Sequence, residues 1–332
     1  MQYRSVKGYS GWSELGILLV FFGLGFILAG AVQLLIGLQI IPPGTPTDKM
    51  AEEMLKSMLK PENISYARLS QVLGTFCLLF IPASLYLIVC HGKSTFWLGF
   101  NKHINGWQVL IGFFLIFLAS VIANPLAEVS KQLLHQFKGL DSLARSMEDS
   151  YNDQVAGLSN LKSWKEFLMA LVIMAFFPAL FEEIFFRGAV QNLLERWWKL
   201  PLLAILVTSL LFSLIHMSVY LFLSRAVLGF VLGLMYQRSR NLWVNIVAHF
   251  LNNTVALVQL FWMANHQGKI EPDKIDPNVP IWGGLIAVAF TYGLFLLFEK
   301  VSKKNREKVM AREQTLRDKA DPFFIFPSKQ NT

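Results

Sequence analysis

Eight stretches of this chain are apolar for long enough, or nearly long enough, to cross a lipid bilayer. They run over 14–41, 71–91, 107–125, 166–194, 201–223, 225–237, 242–264 and 281–298. In hydrocarbon every backbone N–H and C=O must find a partner within the protein, which a helix provides from its own residues. A span takes about 20 residues. The sixth stretch is shorter and, at about 1.5 Å per residue, reaches only about 20 Å, so it is expected to be tilted or partly re-entrant. Gly229 and Gly233 in it are four apart, the spacing that lets a second helix approach closely. Only 16% of the 332 residues are charged, against about 25% in soluble domains. The expected fold is therefore all-α: a polytopic membrane bundle of about eight transmembrane helices.

The ends and linkers set orientation. Arg4 and Lys7 precede the first apolar run, and Ala29-Gly30-Ala31 has the small-x-small look of a signal-peptidase site. The run continues to Ile41, however, which fits an uncleaved first helix better than a leader. Lys93 with Lys102, Arg196 with Lys199, and Arg238 with Arg240 fall in alternate short loops. With eight spans those loops share a side with the basic segment Lys300, Lys303, Lys304, Arg306 and Lys308, so both termini are expected in the cytoplasm. Nine of the thirty Lys and Arg lie after Phe298; no basic stripe interleaved with aromatics suggests nucleic acid. Both cysteines, Cys77 and Cys90, fall in one apolar segment, which excludes a disulfide framework and a Cys-rich zinc module.

Two linkers carry one-sided apolar spacing. Met50, Met54, Leu55, Met58 and Leu59 form a helical stripe expected to lie on the membrane surface. After the third span, Leu126, Val129, Leu133, Leu134 and Phe137 do the same, followed by a polar, acidic stretch from Asp141 to Asp153. The remaining histidines, His91, His103, His135 and His266, sit at span ends or in linkers and are expected at the solvated surface.

Polar groups inside the apolar runs carry the chemistry. Glu182, Glu183 and Arg187 lie in the fourth, where an ionisable group costs roughly 2.5–3.5 kcal/mol to insert. Glu183 and Arg187 are four apart with the acid first, the favourable order for a helical ion pair, and could simply neutralise each other. Glu182 points about 100° away and has no partner in its own helix. Pro178 is expected to break or kink the helix just before the acids. Counted from the turn near Trp198–Pro201, Glu182 lies about 17 residues back and His216 about 16 on. At about 1.5 Å per residue both stand some 25 Å from the turn, level in a hairpin. In the seventh run Asn241, Asn245, His249 and Asn253 recur every four residues, with Asn252 beside the last. Asparagines alone would be interhelical glue. With His249 among them, they read as one wall of a wet site.

One carboxylate, two imidazoles and an amide suffice to hydrolyse an amide. Glu182 can act as base and then acid on water, His216 or His249 can orient that water, and Asn253 can donate to the developing oxyanion. The set Glu182, His216 and His249 could equally hold a divalent metal, zinc foremost, although no His-Glu-x-x-His helix is present. Intramembrane Glu and His also build proton relays, so a proton-coupled transporter stays open, though no repeated halves are visible. A non-catalytic scaffold or bacteriocin-immunity protein is a third reading.

The ordered set Glu182-Glu183-x-x-x-Arg187, Phe212-x-x-x-His216 and His249-x-x-x-Asn253 resembles the CPBP intramembrane proteases, which include CAAX prenyl protease 2 and the bacteriocin-processing Abi and lysostaphin-resistance-like proteins. The resemblance covers roughly Trp164 to Trp262. It implies an all-helical membrane endopeptidase with Glu182 activating water and His216, His249 and Asn253 completing the site. Glu183 belongs to the same catalytic motif, and Arg187, Phe212 and Asn245 would support it. The implied partners are the lipid bilayer and a membrane-embedded peptide or protein substrate, and the implied location is a bacterial inner (cytoplasmic) membrane. The expected organisation is an N-terminal membrane region over 1–163, a catalytic core over 164–264, and a last span with a basic tail over 265–332.

Overall fold

The apolar runs become helices, and where they stop is set by polar side chains. A computed structural model of the chain describes residues 3–158, 161, 163–266 and 279–320. Its helices are α1 (Gly11–Gly37), α2 (Met50–Met58), α3 (Pro61–His91), α4 (Gly106–Leu134), α5 (Lys138–Leu158), α6 (Trp164–Trp198), α7 (Pro201–Leu214), α8 (Phe222–Ser239), α9 (Leu242–His266) and α10 (Ile281–Ala320). The chain is an all-α, polytopic membrane protein. Among the described residues six helices, α1, α3, α4, α6, α9 and α10, are long and apolar enough to cross a bilayer.

The fifth and sixth apolar runs divide differently from expectation. α7 has only 14 residues and ends at Leu214, while α8 extends to 18 residues. The His216 ring donates from Nδ1 to the Phe212 carbonyl at 2.7 Å, capping one of the open carbonyls at the end of α7. Met217 then takes a positive φ of 54°, a conformation that costs an L-residue about 1–2 kcal/mol, and the chain reverses into α8. Hydropathy alone cannot see that cap.

α6 is the central helix. Phe181, Ile184, Phe185, Phe186, Ala189, Val190, Leu193 and Leu194 are buried among α3 residues Leu79, Tyr86 and Leu87, with Phe212 of α7 and Ile246 of α9. In lipid such packing rests on dispersion and close fit rather than on release of water. Pro178 does not break the helix. Hydrogen bonding widens to the i→i+5 pattern over Leu171–Phe176, next to the proline's missing donor, and again over Ile184–Gln191. Such bulges re-aim side chains without ending the helix, and Arg187 lies in the second.

α7 crosses α8 at the two glycines. A Cβ on Gly229 would stand 3.1 Å from the Phe212 ring, and one on Gly233 would stand 2.7 Å from Ile205. The close approach exposes two α8 carbonyls to α6: Gly229 O accepts from Arg187 at 3.1 Å and Gly233 O from Gln191 at 3.0 Å. α4 packs on α8, α9 and α10 through Leu115, Ile116, Leu232, Met235, Val244 and Phe298.

The segments carrying the loop cations meet at one end of the bundle. Lys7 N–H donates to the Cys90 carbonyl, Arg196 pairs with Glu313 at 3.4 Å, and Arg240 pairs with Glu195 at 2.8 Å. His91 departs from expectation here. It is buried, 3.2 Å from both the Glu14 carboxylate and the Tyr86 hydroxyl, and stacked on Trp97. A carboxylate on α1 supplied the partner that its own segment lacks. His135 and His266 are exposed and His103 is half-buried.

Candidate active site

Glu183 is fully enclosed, with no exposed surface. Arg187 Nη1 lies 2.8 Å from it, as the four-residue spacing requires. Two hydrogen-bond donors come from α9: Asn245 Nδ2 at 3.2 Å and His249 Nδ1 at 3.0 Å. A carboxylate ionised beside a guanidinium only accepts hydrogen bonds, so the Nδ1 proton of His249 is fixed by Glu183 and its Nε2 is left with a lone pair. Asn245 also donates to the Leu232 carbonyl at 2.7 Å, tying α9 to α8. Arg187 lies over the Phe212 ring, 4.8 Å from its centroid, and Phe212 is in turn 4.8 Å from the His216 ring.

His216 reaches the same state by another route. Its Nδ1 proton is spent on the Phe212 carbonyl, so its Nε2 also presents a lone pair. Both Nε2 atoms face one oxygen, Glu182 Oε2, each at 3.9 Å. That distance exceeds a direct hydrogen bond. Three lone-pair atoms facing one point can accept from a water or hold a proton or a cation.

Glu182, His216, His249 and Asn253 all line one cavity of about 1580 Å³, larger than the roughly 300–1,000 Å³ of a typical small-ligand site. Its far walls come from helices that precede the Trp164–Trp262 region. α1 and α3 contribute Gln33 and Gln71, α2 contributes Met50, Met54 and Met58, and α5 contributes Glu148, Tyr151 and Asn152. The apolar face of α2, expected on the membrane surface, turns into this cavity. The acidic stretch from Asp141 to Asp153 is not an irregular linker but part of the helix α5.

The asparagine stripe of α9 divides by task. Asn241 donates to the Asn101 and His103 carbonyls, and Asn252 accepts from Ser120 at 2.9 Å, so these two are interhelical ties. Asn245 holds Glu183, and Asn253 faces the cavity. The reach of Glu183 to α9 was not foreseen; its signal in the sequence is Asn245 and His249, four apart on one face.

The donor types suit zinc: two imidazole Nε2 atoms and one carboxylate, with room for a further ligand. Bonds of about 2.0–2.2 Å would require ligand atoms about 3.3–3.5 Å apart, somewhat closer than the 3.9 Å seen here. Among the described residues no three His, Cys, Asp or Glu are gathered as a metal-holding group.

An all-helical membrane protein with a carboxylate and two imidazoles converging on a cavity is the class defined by this fold and site. Residues 164–255 match the family described as Type II CAAX prenyl endopeptidase Rce1-like, so the chain carries a CPBP/Rce1-like CAAX protease family domain over that part of its length. Two Bacillus subtilis (strain 168) proteins are similar. "Uncharacterized protein YpbD" is 29% identical over 113 residues, 33% of this chain and 52% of that protein. "Putative membrane peptidase YdiL" is 27% identical over 99 residues, 30% of this chain and 40% of that protein. The chain thus spans about half the length, or less, of these curated relatives. No solved structure matches.

Proposed function

We propose that this chain is an intramembrane endopeptidase that hydrolyses a peptide bond of a membrane-associated peptide or protein. The observation that carries the reading is the convergence of His216 Nε2 and His249 Nε2 on Glu182 Oε2, at 3.9 Å each, in the wall of a large cavity. Glu182 takes one proton of a water while the Nε2 of one imidazole, His216 or His249, accepts from its other O–H and orients it. The resulting hydroxide attacks the scissile carbonyl, and the Asn253 amide donates to the oxyanion. Glu182 then returns the proton to the departing amine as the C–N bond breaks. Glu183 stays ionised and holds His249 in one tautomer, much as a buried carboxylate orients histidine in hydrolytic triads. A divalent metal, if bound, would be held by Glu182, His216 and His249 and would supply Lewis-acid activation of water.

The same reading takes α7 and α8 as a fifth and a sixth span, giving eight in all, with both termini in the cytoplasm and the chain in a bacterial cytoplasmic membrane. It takes 164–264 as the catalytic core, flanked by 1–163 and 265–332, regions that govern access. The test is to reconstitute the purified protein in lipid and follow cleavage of membrane peptides by mass spectrometry. Cleavage should vanish in Glu182→Ala and fall steeply in His216→Ala and His249→Ala. Undiminished cleavage in Glu182→Ala would remove the mechanism. Activity that survives exhaustive chelation, with no bound zinc detected, would remove the metal.

A further inference from the structure

His216 stands outside its helix, on the reversal between α7 and α8, and a reversal of that kind does not hold a side chain in place unaided. Its ring is bonded to the Phe212 carbonyl of α7, and three further contacts fix the turn that carries it, all three leading to α5. The Ser218 hydroxyl donates to Glu148 at 2.7 Å. The Tyr220 hydroxyl donates to Asp141 at 2.6 Å. Arg225 lies over the Tyr151 ring at 4.8 Å and donates to the carbonyl of His216 itself at 3.4 Å. Ser218, Tyr220 and Asp141 are buried, while Glu148, Tyr151 and Arg225 are half-buried. Between the anchors, Met217 is held at φ 54°, a conformation that persists only where the surroundings over-determine it.

α5 lies before the matched family region, which begins at residue 164. Glu148, Tyr151 and Asn152 also line the cavity. One helix therefore forms part of the cavity wall and clasps the turn that carries His216.

We infer that Glu148 and Asp141 of α5 are positioning residues that set His216 toward Glu182 through Ser218 and Tyr220. The inference rests on the proposed endopeptidase reading for its catalytic consequence, but the placement of His216 can be measured without any substrate. A ring that faces a carboxylate at 3.9 Å on one edge and is bonded to a carbonyl on the other has little freedom. Loosening the turn frees it, and a misplacement of about 1 Å can cost about a hundredfold in rate.

The experiment uses the full-length protein in lipid and diethyl pyrocarbonate as the probe, with modification of each histidine read by peptide mapping. In Ser218→Ala and Tyr220→Phe the His216 modification rate should change about threefold or more while that of His249 stays as in the wild type. Peptide cleavage in Ser218→Ala should lose about tenfold in kcat with KM within about twofold, since Ser218 does not line the cavity. Glu148→Ala should show a similar loss, and Glu148→Gln, whose amide oxygen still accepts from Ser218, should recover most of it. The Ser218→Ala/Glu148→Ala double variant should be no worse than Ser218→Ala, because both remove the Ser218–Glu148 contact and Ser218→Ala alone also removes the acceptor of the Leu221 N–H. An unchanged His216 modification rate in Ser218→Ala, or single losses that multiply in the double variant, would overturn the inference. If the wild type cleaves no peptide, the endopeptidase reading fails by itself and the modification rates alone decide the clasp.

Discussion

His249 stands between two adjacent carboxylates of one helix, its Nδ1 3.0 Å from Glu183 and its Nε2 3.9 Å from Glu182. Neighbouring residues on a helix diverge by about 100°, so one imidazole can touch both only by lying across the gap between them. The two acids thereby acquire opposite environments. Glu183 is fully enclosed with a guanidinium, an amide and an imidazole. Glu182 keeps an edge on the cavity.

That contrast separates stability from activity. Glu183→Gln leaves the buried Arg187 without its counter-charge, a loss of about 3–5 kcal/mol where one partner of a buried pair is removed. Glu182→Gln breaks no ion pair shorter than 3.9 Å. Thermal unfolding in detergent, followed by tryptophan fluorescence, should fall sharply for Glu183→Gln and remain near the wild type for Glu182→Gln. Equal midpoints for the two variants would contradict the assignment.

Asn245 is expected to act on rate through Glu183. Its amide holds Glu183 and the Leu232 carbonyl together, and a hydrogen bond to a charged group is worth about 1.5–3 kcal/mol. Asn245→Ala should therefore lower kcat by about tenfold or more, with a smaller change in KM. A variant that raises KM and spares kcat would place Asn245 in substrate binding instead.

The glycines of α8 should tolerate no side chain. Gly233→Val would drive a branched residue into Ile205, 2.7 Å from where its Cβ would stand, and overpacking of this kind costs about 1–3 kcal/mol. The same change should disturb the Gly233 carbonyl that accepts from Gln191. Reduced yield of folded protein and a lowered unfolding temperature are the expected results; wild-type behaviour in both would argue against the close crossing of α7 and α8.

The clasp on α5 should weaken in acid. The Tyr220 hydroxyl holds the Asp141 carboxyl below its ordinary range; burial, the next-largest effect, opposes it, and Arg145 and His135 add smaller contributions in the same direction as Tyr220. A carboxylate whose folded pKa is depressed adds stability above its unfolded value near 4, and that contribution is lost as pH falls through the folded value. Between about pH 5 and pH 3 the wild-type unfolding temperature should drop more steeply than that of Asp141→Asn. Parallel curves would show that Asp141 is not held by these partners.

Hydropathy made most of the helices legible, because a lipid-facing segment must be apolar along its whole length. It misjudged α7, which ends where His216 bonds back to the Phe212 carbonyl and Met217 takes a positive φ. Spacing found the Glu183–Arg187 pair, since both lie on one helix, but not the reach of Glu183 to His249, which depends on where α9 packs. The level placement of Glu182 and His216 emerged from counting residues in a hairpin, and the two side chains do face each other, although His216 lies on the turn and not on the helix. α5 was illegible for a different reason. Its polar residues look like a solvated linker until Ser218 and Tyr220 appear opposite them. His91 was misread for want of Glu14, 77 positions away in sequence.

The central claim is that Glu182 activates water for peptide hydrolysis, and one comparison tests it most directly. Wild type and Glu182→Gln, reconstituted in the same lipid and shown to unfold at the same temperature, are given the same membrane peptide, and kcat is measured for each. The amide keeps the shape of the carboxylate and removes its ability to take a proton, so kcat should fall by about a hundredfold or more. A Glu182→Gln protein that cleaves at the wild-type rate would contradict the account.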